Sequence, residues 1–165
     1  MTPKLDADAF LLAKATGWEE FNLLPGEANI FFEGTYVGQT VLNPAVLDDT
    51  LRLSMGRDHG ITVTRTRKPI VEKNALLGNE VTRIYAYELK MKSIRSNKIS
   101  LVVEDQVPLT QNKEIKIEMK DAARADYNPA TGMLTWDLTL GSRESKTFQF
   151  SYAITSQKGQ QISMY

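Results

Sequence analysis

Residues 133–154 read MLTWDLTLGSRESKTFQFSYAI. In the first half Leu134, Trp136, Leu138 and Leu140 alternate with Thr135, Asp137 and Thr139. After a polar run, Phe148, Phe150, Tyr152 and Ile154 alternate in the same way. A period of two places successive side chains on opposite faces of a sheet, so each half is a strand with one buried and one wet face. Two such runs joined by a short polar loop predict an antiparallel hairpin. Trp136, in phase with Leu134 and Leu138, is expected in the core.

The same pattern recurs outward from this stretch. Val81, Arg83, Tyr85, Tyr87, Leu89 and Met91 share one face of a strand over Val81–Met91. Ser96-Asn97-Lys98 turns the chain into a strand Ile99–Val107, which Pro108 closes. Ile115, Ile117 and Met119 mark a further strand, and Asn128-Pro129-Ala130-Thr131-Gly132 is a turn before Met133. Asp121–Asp126 is the one candidate for a helical turn. Gln160–Tyr165 is a candidate last strand.

Towards the N-terminus, Ala9–Thr16 is apolar and Leu24-Pro25-Gly26 is a turn signal. Ala28, Ile30 and Phe32 face one way and Asn29, Phe31 and Glu33 the other. Gly34-Thr35 then suits a two-residue turn with positive φ, leading into Tyr36–Val41. Leu51, Leu53 and Met55 form another strand. Arg57-Asp58-His59-Gly60 has the composition of a turn, with Ile61 and Val63 starting the partner strand. Pro69 disfavours a central strand at its position, and Ile70–Gly78 is expected to connect two halves.

Short strands between turns, without helical periodicity, predict an all-β fold, an antiparallel immunoglobulin-like β-sandwich with an additional N-terminal β-hairpin-rich part. The expectation is one compact unit over 1–165, subdivided into an N-terminal β part at 8–72 and a sandwich at 79–165.

The bulk composition narrows function. Of 165 residues 42% are hydrophobic, enough for a core, and 20 basic residues balance 20 acidic ones. Zero net charge argues against nucleic acid and anionic membranes as partners. No apolar run approaches the roughly 20 residues a membrane-spanning helix needs, so membrane insertion by this segment is not expected. The N-terminus lacks the features of a signal peptide. With no cysteine there are no disulfides and no thiolate chemistry.

Candidates for chemistry are few. His59 is the single histidine, without companions for a metal site and without a nucleophile signature beside it. A solvated turn histidine is the favoured reading. Glu104 and Asp105 are strand neighbours that point to opposite faces and cannot converge on a substrate. Asp48-Asp49 lacks the spacing of a calcium loop. Nucleotide-binding and nucleophile-elbow motifs are missing. No catalytic residue, metal site or cofactor is therefore expected, and the chain is read as a non-enzyme.

Binding candidates are Trp18, Phe21, Arg65 and Arg67. Trp18 and Phe21, in the loop-like segment Gly17–Asn22, can form a sugar-stacking platform or a protein hot spot. They can also cap the end of the sandwich, which is favoured. Arg65, Arg67 and Lys68, with Lys73 and Arg83, can hold an anionic glycan or acidic partner. The favoured alternative is charge placed on an edge strand against aggregation.

Several stretches resemble a known family. NLLPGEANIFFEGTYVGQT (22–40), VEDQVPLTQNKEIKI (103–117), TGMLTW (131–136) and ESKTF (144–148) are similar, in order and spacing, to the C-terminal domain of mucoidy-inhibitor A-like bacterial proteins. The resemblance spans Ala9 to Ile162. It implies a domain of unknown function without catalytic residues to carry over, placed at the end of a longer envelope-associated or periplasmic protein. This chain would then be an excised piece. Phe32–Thr40 also resembles short repeat hairpins of bacterial surface proteins. The resulting expectation is a non-catalytic envelope module for protein interaction or scaffolding. A carbohydrate-binding module for exopolysaccharide or peptidoglycan is the alternative, and a glycan-processing enzyme is ranked last.

Overall fold

A computed structural model describes residues 8–32, 34–43, 50–74 and 79–159. Asp48, Asp49 and the proposed last strand 160–165 lie outside them. The described residues form eleven strands and one short 3-10 turn, with no α-helix, and the strands are laid out in antiparallel sheets. The chain divides into two compact units, Ala9–His59 and a larger one beginning at Gly60.

In the first unit β1 (Asp8–Thr16) pairs with β4 (Thr50–Arg67), and the 3-10 turn η1 spans Trp18–Phe21. β2 (Gly26–Phe32) and β3 (Thr35–Leu42) pair with each other, from Gly26 opposite Leu42 to Phe32 opposite Thr35, with a bulge after Ile30. Gly34 takes a φ of 78° in the connecting turn, a conformation that glycine adopts without steric penalty.

The larger unit is a two-sheet sandwich. β6 (Glu80–Ser93) and β11 (Ser145–Gln157) lie side by side over thirteen residue pairs, with Phe150 opposite Tyr87 and Tyr152 opposite Tyr85. β8 (Lys116–Asp121) pairs the other side of β11. β4 from Ile61 to Arg67 and β5 (Val71–Asn74) both pair β6. Between them Pro69 lacks an N–H, and the Lys68 N–H donates to the Ala86 carbonyl at 2.8 Å. In the second sheet β10 (Met133–Leu140) runs between β7 (Ile99–Gln106) and β9 (Asp126–Asn128).

Residues 133–154 are thus two half-buried strands, but not a hairpin. β10 and β11 belong to different sheets, and the loop between them carries the chain across the sandwich. The buried faces meet: Trp136 lies 5.0 Å from Phe148 and 5.6 Å from Phe150, centroid to centroid. Alternation reports that a face is buried without naming what covers it. Here Trp136 of β10 meets Phe148 and Phe150 of β11.

Three further expectations are corrected. Residues 57–60 make no turn; they lie within β4, and the Gly60 carbonyl accepts a hydrogen bond from Ile94 N–H at 2.9 Å. Ile70–Gly78 is not merely a connector, since Val71–Asn74 is a strand on β6. The segment after β8 is no helical turn: Ala123 and Arg124 take φ of 50° and 65°. The Asp121 carboxylate accepts from Ala123 N–H at 2.8 Å. The Trp136 indole N–H donates to the carbonyls of Ala122 (3.1 Å) and Ala123 (3.0 Å). Those bonds support backbone that is otherwise unfavourable for residues with a Cβ.

Candidate functional site

Two polar or mixed constellations stand out, one in each unit. The first begins with an exception to the apolar alternation. On β4, Arg65 follows Ile61 and Val63 on the buried face. On β7, Asp105 follows Leu101 and Val103. Both strands therefore turn a charge into the core. The Arg65 guanidinium reaches Asp105 across the sandwich, Nε to Oδ2 at 2.8 Å and Nη2 to Oδ1 at 3.3 Å. Oδ1 also accepts the Gln106 N–H at 2.7 Å. The Asp105 side chain is 0% exposed and that of Arg65 18%.

Taking two charges out of water is costly, and the fold offsets this with hydrogen bonds and ring contacts. Arg65 Cζ lies 3.7 Å from the centroid of Tyr87, a cation–π contact. Tyr87 stacks on Phe150, and its hydroxyl is 3.4 Å from that of Tyr152, which stacks on Tyr85. Burial, then the hydrogen bond to Tyr87, pushes the Tyr152 phenol well above its ordinary value. Both Asp105 oxygens are engaged, so the chemistry of the cluster is the joining of two sheets.

The other sequence candidates disperse. Arg67, two residues beyond Arg65, is exposed. Lys68 pairs with Glu88 at 2.9 Å and Arg83 with Glu72 at 2.7 Å. The basic stretch is accordingly divided between the core and surface ion pairs. Trp18 is buried on η1 with its indole N–H lacking a hydrogen-bond partner, whereas Phe21 at the end of the same turn is 74% exposed. Trp18 and Phe21 therefore present no shared platform. His59 is exposed, but within a strand. Glu104 faces away from the core, as alternation requires. Among the described residues no group of three His, Cys, Asp or Glu is placed to hold a metal ion.

The second constellation is the outer face of the β2–β3 hairpin. Phe31 is 61% and Tyr36 54% exposed, with ring centroids 5.6 Å apart in an edge-to-face arrangement. Val41, opposite Glu27 further along the ladder, is exposed as well. On the same face the Gln39 side-chain amide donates to the Glu27 carboxylate at 3.0 Å. Ile30 is buried on the opposite face. Sequence reasoning passed over these residues because it sought exposed aromatics in loops. The signal lay in Asn29 and Phe31, which alternate with the apolar Ala28, Ile30 and Phe32.

Comparison with known proteins gives a distant relative, Protein F37C4.5 of Caenorhabditis elegans, 23% identical over 175 residues. The match covers 97% of this chain and 31% of that protein, so the chain spans under a third of its relative's length. No solved structure matches. Residues 9–158 match the family described as Domain of unknown function (DUF4139), and the chain belongs to that family.

Proposed function

We propose that this chain is a non-catalytic interaction module of a cell-envelope protein, working through the outer face of the β2–β3 hairpin. The observation that carries the reading is the exposed pair Phe31 and Tyr36 on that face. Large rings left in water on a sheet face are the side chains that supply most binding energy when a partner covers them. Further support is the fate of the buried charges: Asp105 and Arg65 spend their hydrogen-bonding capacity on each other and on the fold. The envelope assignment rests on the resemblance to mucoidy-inhibitor A-like proteins.

The test uses the full-length protein in cells, with a photo-reactive phenylalanine placed at position 36 or, as a control, at Thr147. Adducts are expected from position 36 and not from 147. The variants His59→Ala, Asp58→Ala and Glu104→Ala should keep the cellular phenotype. A folded variant among these three that abolished it would overturn the non-catalytic reading. Recovery of the protein in the soluble cytoplasm would remove the envelope assignment.

A carbohydrate-binding module is the second reading, favoured by amide side chains at Asn29 and Gln39 on the same strands as the rings. It requires calorimetric binding of neutral or acidic glycans that Tyr36→Ser abolishes.

A further inference from the structure

The chain's zero net charge conceals an internal division. Residues 15–51 contain six carboxylates (Glu19, Glu20, Glu27, Glu33, Asp48, Asp49) and not one Lys, Arg or His. Residues 52–165 carry 18 of the 20 basic residues and 12 of the 20 acidic ones. The β2–β3 hairpin lies within the acidic segment, and its outer face combines Phe31, Tyr36 and Val41 with the Glu27 carboxylate. An aromatic face draws cations to its π-electrons, and a carboxylate beside it accepts charge-assisted hydrogen bonds from ammonium or guanidinium groups. The Glu27 carboxylate on this face attracts cations and repels polyanions.

We propose that the outer face of the β2–β3 hairpin receives a cationic segment of a partner protein, in which lysine or arginine alternates with apolar side chains. The apolar side chains of that segment cover Phe31, Tyr36 and Val41. One cation lies over a ring and another pairs with Glu27. The same carboxylate disfavours acidic polysaccharide on this face. The proposal rests on the interaction reading above and adds the chemistry of the partner.

The experiment titrates the whole chain with a fluorescein-labelled peptide alternating lysine with leucine or phenylalanine. A glutamate-for-lysine analogue and dextran serve as competing probes. Saturable binding of the lysine peptide is expected, weakened by added salt and weakened about tenfold by Glu27→Lys and by Tyr36→Ser. Glu114→Lys, a charge reversal outside the acidic segment, should leave it unchanged. Because Tyr36→Ser can disturb the hairpin, amide chemical-shift changes are also read on the unaltered chain, and they should cluster in 26–42. Absent binding, equal binding of the glutamate analogue or dextran, or shifts clustered outside the hairpin would each overturn the proposal. Adducts from position 36 in cells without lysine-peptide binding would discard the cationic partner while leaving the interaction reading standing.

Discussion

Asp105 has no solvent to return to, whereas Arg65 keeps part of its side chain exposed and lies on the face of Tyr87. The two ends of this pair are therefore unequal. Arg65→Met strands a buried carboxylate and should destabilise the fold by about 3–5 kcal/mol. Asp105→Leu leaves a guanidinium with a ring and partial access to water, and should cost about 1–3 kcal/mol. The double variant should recover most of the loss. Urea unfolding of the three variants checks this, and equal single losses would contradict it. Tyr152 gives a second prediction at this scale. Its folded pKa is raised above the ordinary value of 10.0 by burial and by Tyr87. The unfolded chain thus gives up this proton first. The stability contributed by the neutral phenol is complete below pH 10 and declines above it, by about 1.4 kcal/mol per pH unit for one proton. Tyr152→Phe should unfold with a shallower alkaline slope, measured by denaturation at a series of pH values above 9.

At the scale of elements, the crossing between β10 and β11 organises the sandwich. Trp136 touches Phe148 and Phe150 with its ring and holds the turn at Ala122 and Ala123 with its N–H. Trp136→Ala should therefore cost about 3–5 kcal/mol, through the lost ring and two unpaired carbonyls. Urea denaturation gives the magnitude, and a loss below about 1 kcal/mol would show that the two sheets do not depend on this ring. The course of β4 has a related lesson. Asp58, His59 and Gly60 carry the composition of a turn, yet they lie within β4, as tertiary pairing of a strand routinely overrides weak local preference.

Across the whole molecule, apolar burial is unevenly shared. Among the described residues only Ala9, Trp18, Ile30 and Leu51 are buried hydrophobics of the Ala9–His59 unit, against seventeen in the larger unit. Opening free energy follows buried apolar area, and a two-stranded sheet alone is marginal in water. Amides of β2 and β3 should consequently exchange with solvent well before those of β6 and β11. Hydrogen-exchange measurements on the intact chain check this, and equal protection in the two units would contradict it. The uneven core also suits a different role for each unit: the larger is a well-packed sandwich, and the smaller carries a hairpin that leaves Phe31 and Tyr36 exposed.

The sequence by itself determined that this is an all-β chain, where most strands lie and which of their residues turn inward. Met133–Leu140 and Val81–Met91 declare their buried faces through a period of two, a local consequence of strand geometry. Strand partnership was decided only by the tertiary structure, because a ladder is a set of hydrogen bonds between residues distant in the chain, and β10 pairing β7 rather than β11 leaves the alternation unchanged. For the same reason Asp105 read as an ordinary acid until Arg65 met it from the opposite sheet, and Trp18 read as a loop residue although it is buried. The exposure of Phe31 and Tyr36 was likewise hidden, since alternation alone does not tell whether a second layer covers the outer face of a hairpin.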